Sequence, residues 1–186
     1  TWAVIAICIV VFWAQYKSNA EYSQSITNYC QNITDNIDDD PNDVMRQSFF
    51  GCASLIDAYH SETLLGENPD YIELHILETM RGVSKREFTL MMSSLRKHYA
   101  IYSEDAPKLL DMKLMYFPES FNPITMITSS LAHGDWGHII GNLIFFFAFS
   151  PAIELLVCGA FRYVLSLTVI AVGCSVFYSI FALSEG

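Results

Sequence analysis

Phe161 to Leu183 is a run of 23 residues whose only charge is Arg162, at its start. A stretch that long and that apolar crosses a bilayer as a helix, because its backbone polar groups must bond to one another where no water is present. A second such stretch precedes it, from Gly137 to about Val157, with Pro151 inside it and Glu154 as the only charge in its lower half. Only a few residues join the two, so they are antiparallel neighbours. At the other end of the chain, Thr1 to Trp13 is uncharged and almost wholly apolar, and Ala14 to Tyr16 leads out of it. That run is shorter than the roughly 20 residues of a full span. It reads as the end of a first transmembrane helix (residues 1–16) that starts before Thr1, with Trp2, Trp13 and Tyr16 as interfacial aromatics. The alternative is a signal-peptide core, which needs a basic segment in front and a small-residue cleavage site behind; Ala14 and Ala20 make a weak one.

The fold class that follows is an all-α membrane protein with a helical extramembrane insert. A hydrophobic fraction of 52% and a mean hydropathy of +0.30 agree with it. The net charge of −10 argues against nucleic acid as a partner, since that surface must be basic. Arg162, beside the short turn, favours the cytoplasmic side by the positive-inside bias. The start of the second helix and the insert then face outward, in a plasma or bacterial inner membrane.

The insert and its interfacial loop cover residues 17–130 and hold 17 of the 20 acidic and 9 of the 10 basic residues. A connection of that length needs structure of its own. Helices are predicted over Asp43 to Tyr59 and over Tyr71 to Met80, the latter stopped by Arg81-Gly82. A third begins at the capping box Ser84-x-x-Glu87, with Phe88, Met91, Leu95 and Tyr99 at helical spacing. His60, His75 and His98 are expected to face solvent. Asp35 to Asp43 is rich in carboxylates but lacks the central glycine and final glutamate of an EF-hand loop, so a solvated turn is expected. Asn32-Ile33-Thr34 fits a glycosylation sequon. Met112 to Met126, broken by Pro118 and Pro123, reads as an irregular segment lying in the membrane interface.

The five cysteines contain no C-x-x-C pair, which excludes a zinc ribbon or thioredoxin-type site. Cys30 and Cys52 both lie in the insert and pair if it faces an oxidising compartment. Their spacing does not decide the matter.

The polar load concentrates at the start of the second span, in Leu131-Ala132-His133-Gly134-Asp135-Trp136-Gly137-His138-Ile139-Ile140-Gly141-Asn142. His138 and Asn142 are four residues apart and share a helix face. Gly137 and Gly141 leave a side thin enough for another helix to come close. Polar groups at membrane depth are costly and mark function by default. A metal site is disfavoured, because H-x4-H is not the i, i+4 pair of H-E-x-x-H and no glutamate accompanies it.

His133-x4-His138-x3-Asn142, the aromatic run after it and Ile153-Glu154 resemble the second transmembrane helix of the rhomboid intramembrane serine proteases. Asn122-Pro123 and Thr128 to His133 resemble that family's approach to the helix. The resemblance covers about a third of the chain and implies a rhomboid-like helix bundle, of which residues 131–186 supply the second and third helices. It implies that His138 and Asn142 donate hydrogen bonds to the oxyanion of peptide hydrolysis. His133, Gly137, Gly141 and Glu154 would support them structurally. The substrate would be a transmembrane protein in the lipid bilayer, with no cofactor. The family's G-x-S-G nucleophile and its base histidine do not occur between Thr1 and Gly186, and these residues alone are expected to be inactive. Two other readings stay open. One is an inactive rhomboid-like protein that binds transmembrane clients; the other is a membrane-anchored sensor or adhesion protein acting through its acidic insert.

Overall fold

The computed structural model describes residues 1–35, 43, 45, 49–66, 68–79 and 84–185. Regular structure among them is helical, with no strand. The helices are α1 (Trp2–Asp35), α2 (Phe49–Leu64), α3 (Pro69–Thr79), α4 (Lys85–Asp105), α5 (Leu110–Leu114), α6 (Pro123–Thr128), α7 (Trp136–Leu156) and α8 (Ala160–Glu185). Two compact units divide the chain: Thr1–Asn19 with Leu109–Gly186, and Ala20–Lys108. Residues 109–130, grouped with the polar insert on sequence grounds, therefore pack with the apolar helices.

The protein is an all-α membrane helix bundle. Three helices are long and apolar enough to cross a membrane: Trp2–Asp35, Trp136–Leu156 and Ala160–Ser184. They leave Val10, Phe147, Ile153, Val169 and Phe177 exposed, a surface suited to acyl chains rather than water. The helix that holds the first apolar run continues past Tyr16 to Asp35. No glycine or proline occurs between Thr1 and Asp35, so nothing in the backbone stops α1 when its side chains turn polar.

In the first unit α1 and α7 run antiparallel. Trp2 meets Phe147 edge-on with ring centroids 5.6 Å apart, and Phe12 meets Trp136 at 4.8 Å. At the far end the Thr1 hydroxyl donates to Glu154 Oε2 at 2.7 Å. It also lies 3.2 Å from Ser150 Oγ, which bonds to the Tyr163 hydroxyl of α8. Glu154 thus pairs with polar groups of a neighbouring helix, and Ser150 and Tyr163 are buried. The turn Val157–Gly159 reverses the chain, with Gly159 at φ 134, a conformation a side chain resists.

The irregular segment expected over 112–126 consists of short helical pieces, Leu110–Leu114, Pro118–Ser120 and Pro123–Thr128, separated by non-helical residues. Tyr116 donates to Ser179 Oγ on α8 at 2.5 Å, and Ser179 in turn donates to the Ser175 carbonyl at 3.0 Å. Asn122 caps α6 by accepting from the Ile124 N–H at 3.0 Å, with Pro123 at the first helical position.

The second unit is built from α1 beyond Asn19 and from α2, α3 and α4. Cys30 and Cys52 form a disulfide, Cα atoms 5.8 Å apart, so the pairing that spacing left open is realised. Helix α2 is described over Phe49–Leu64 and runs five residues beyond the Tyr59 expected, and α3 begins at Pro69. The stop at Arg81-Gly82 and residues 36–42 of the acidic run lie outside the described residues. The capping box of α4 forms as read: Ser84 Oγ accepts from the Glu87 N–H at 3.3 Å and Glu87 Oε2 from the Ser84 N–H at 2.9 Å. Its buried stripe is Met91, Met92, Leu95, His98 and Tyr102.

Two histidines depart from expectation: His60 and His98 are buried, and of the three in the insert His75 alone faces solvent. Burial is possible because each has polar partners. His98 Nε2 lies 2.7 Å from Asp43 Oδ2 and its Nδ1 2.9 Å from the Tyr29 hydroxyl. His60 stacks on Tyr22, and its Nδ1 is 3.1 Å from the Tyr99 hydroxyl.

Candidate active site at the start of the second apolar helix

Asp135 fixes where α7 begins. Its backbone is extended, and its side chain accepts from the His138 N–H at 2.8 Å, which satisfies one of the helix's unpaired amides. A carboxylate there also complements the positive end of the helix dipole. Trp136 is then the first helical residue, and His138 and Asn142 fall on one face. Both are exposed. Neither side chain has a hydrogen-bond partner among the described residues, so their donors are available to a group outside them.

The glycines serve two different ends. A Cβ at Gly137 would sit 3.1 Å from the Asp135 carboxylate oxygen, so the absence of a side chain leaves room for the cap. A Cβ at Gly141 would meet nothing within 4 Å. The helix contact anticipated at these positions is not made among the described residues.

His133 lies before the helix and is buried, with 5% of its surface exposed. Its Nδ1 is 2.9 Å from the Leu131 carbonyl. A carbonyl only accepts, so Nδ1 carries the proton and Nε2 a lone pair. Burial pushes this imidazole below its ordinary 6.5, helped by His138 and opposed by the Leu131 bond. The two rings meet edge to face with centroids 5.4 Å apart.

His133 and Asn142 also line a cavity of about 870 Å³ between α1, α7, α8 and the α5–α6 segment. Its walls are mostly apolar, from Cys8 and Phe146 to Leu167 and Ala171. Apolar walls with a few convergent polar groups are the usual composition of a binding cavity.

Sequence reasoning missed the polar side chains that hold the loop from behind. Gln15 Oε1 accepts from the His133 N–H at 3.2 Å, and Gln15 Nε2 donates to Asp111 Oδ1 at 2.5 Å. Asn19 Nδ2 donates to Asp111 Oδ2 at 2.9 Å, and Ser18 Oγ accepts from the Leu110 N–H at 3.0 Å. The signal was present: Gln15, Ser18 and Asn19 follow the apolar run at i, i+3 and i+4, on one face.

A bundle of membrane-length helices with hydrogen-bond donors at the start of one of them defines a membrane protein with a polar cluster at one end of an apolar helix. Residues 120–185 match the family model of the Rhomboid domain, a match consistent with a rhomboid family protein. Rhomboid family proteins are generally intramembrane proteases. The match takes in α6, α7 and α8, and with them His133, His138, Asn142 and Glu154. No curated protein and no solved structure matches the chain.

Proposed function

We propose that the intact protein is a rhomboid-type serine endopeptidase that cuts transmembrane substrates near the outer membrane boundary. The observation that carries this reading is the pair His138 and Asn142, on one face of α7 with no hydrogen-bond partners among the described residues, inside the stretch that matches the Rhomboid domain. Attack on a peptide carbonyl builds negative charge on its oxygen, and preorganised donors stabilise that charge most effectively in a site with little water. An imidazole N–H and an amide NH₂ on adjacent turns suit that task. His133 braces the loop before the helix, and Glu154 ties the other end of α7 to α1.

On this reading residues 131–186 belong to the proteolytic core, and 17–130 is an insert on the outer side of a plasma or bacterial inner membrane together with an interfacial loop, the latter being the part from Leu109 on that packs with the apolar helices. The Cys30–Cys52 disulfide supports an oxidising exterior for the insert. The serine and the base histidine of the reaction are assigned to no residue between Thr1 and Gly186.

The test uses the full-length protein in liposomes with a fluorogenic transmembrane substrate, together with a fluorophosphonate probe for an activated serine. Cleavage, probe labelling, and loss of cleavage in Asn142→Ala are expected. Uncut clients that co-purify without labelling would replace this reading with that of an inactive client binder.

A further inference from the structure

We propose that Gln15 is a positioning residue for the His133–His138 pair, acting as a two-sided amide between the α5 carboxylate and the loop before α7. Its consequence for catalysis rests on the function proposed above; its structural part does not.

Gln15 is only 2% exposed although it lies on a membrane-length helix. An amide buried there is unfavourable unless both its ends are bonded. One faces Asp111 Oδ1, which can only accept, and the other faces the His133 N–H, which can only donate. These partners fix the orientation of the amide without ambiguity. They also make glutamine the fitting residue, since lysine lacks the acceptor, glutamate the donor and leucine both. Asn19, one turn on, donates to the second oxygen of the same carboxylate at 2.9 Å. Asp111 is therefore held at both oxygens by one face of α1.

The bond to His133 falls on the backbone of the residue whose ring packs edge-on against His138. Asp135, two residues later, starts α7 and accepts from the His138 N–H. Gln15 thus anchors one side of the 133–135 loop and the Asp135 cap the other. If the anchor is lost, the loop can shift relative to the first turn of α7, and the His138 donor moves off its target. Misplacement on the scale of an ångström costs roughly 10²-fold in rate.

The experiment exchanges the two partners. Gln15→Glu retains an acceptor oxygen but turns a carboxylate toward Asp111, and the repulsion draws the side chain away from the His133 N–H. Adding Asp111→Asn restores a donor–acceptor pair with the polarity reversed, and the new amide oxygen still accepts from Asn19. Two readouts are taken on the full-length protein: hydrogen exchange at the His133 amide in micelles, and kcat and KM for a transmembrane substrate.

The expected result is a protected His133 amide in the wild type, protection lost in Gln15→Glu and Gln15→Leu, and protection regained in the double variant. The kcat should follow the same order, falling roughly 10- to 100-fold in the single variants with KM little changed. A His133 amide that stays protected in Gln15→Glu, or a double variant no better than the single, overturns the proposal. A wild type that cuts nothing overturns the proteolytic reading instead, and the exchange data still decide whether Gln15 holds the loop. Should Gln15→Leu fail to fold, the Gln15→Glu single and double pair, which share the same buried volume, decide alone.

Discussion

His133 and His138 meet edge to face with ring centroids 5.4 Å apart, yet one is buried beside Gln15 and the other lies open on α7. The buried ring is fixed by its Nδ1–H bond to Leu131. The open ring remains available to whatever approaches α7.

This difference predicts how His133 titrates. Burial lowers its proton affinity, so its midpoint should lie below 6.5, with the proton of the neutral form on Nδ1. Between that midpoint and 6.5 the unfolded chain binds more protons than the folded one, so His133 removes stability as pH falls through the window. Nitrogen-edited NMR of the imidazoles reports both midpoint and tautomer. A His133 midpoint above 6.5, or an Nε2–H tautomer, would contradict this geometry.

Asn142 is exposed and makes no hydrogen bond within the described residues, so Asn142→Ala should leave the melting temperature almost unchanged. On the proposed function it should lower kcat by about 10²–10³-fold, the usual cost of one oxyanion donor. Thermal unfolding in detergent and steady-state cleavage in liposomes separate the two effects. A large fall in Tm would show that the side chain is structural.

The Ser150–Tyr163 bond is buried between α7 and α8. Tyr163→Phe should destabilise the protein by about 0.5–1.5 kcal/mol, because it removes a buried hydrogen bond while Ser150 keeps the Thr1 hydroxyl as a partner. In a Ser150→Ala background the same change should cost less. Equilibrium unfolding of the single and double variants measures the coupling.

The disulfide closes a loop with a sequence separation of 22 residues. In the chain-entropy picture that constraint contributes about 3 kcal/mol. Reduction, or paired replacement of Cys30 and Cys52 by serine, should lower the unfolding midpoint of the 20–108 unit and expose α2 to proteolysis.

Acid should weaken the 20–108 unit in two stages. Burial pushes His60 below its ordinary 6.5, against the pull of Asp57, so its contribution starts to be lost as pH falls below about 6.5. For Asp43, burial raises the carboxyl, but bonds from Ser94, His98 and the Met45 N–H outweigh it and hold it below the ordinary 3.8. Lys97 Nζ lies 3.8 Å from Asp43 Oδ2. That stability is present above about 3.8 and goes as pH falls through the lower folded value. Circular dichroism from pH 8 to 2 should show His60→Phe flattening the upper stage and Asp43→Asn the lower.

The apolar spans were legible because length and lack of charge are one-dimensional properties. Gly137 to Val157 and Phe161 to Leu183 match α7 and α8 to within three residues at either end. The capping box at Ser84 was legible for a similar reason, since its partners lie three residues apart. The continuation of α1 to Asp35 was not read from the sequence, because a change of polarity at Lys17 marks the edge of an apolar run but does not break a helix that contains no glycine or proline. His98 was misjudged because its partners, Asp43 and Tyr29, lie 55 and 69 residues away. No local pattern distinguishes such a histidine from one in solvent.

The sequence by itself determined that the chain is helical, that three stretches suit a bilayer, and that polar groups gather at the start of the second. Each follows from composition and spacing within a few turns of helix, where the backbone fixes which residues share a face. Only the tertiary structure decided that Cys30 pairs with Cys52, that His133 is buried while His138 is open, and that Gln15 bonds both Asp111 and His133. Those outcomes depend on which elements the chain brings together across 22, 96 and 118 residues. Distances in space over such separations are set by packing rather than by local preference.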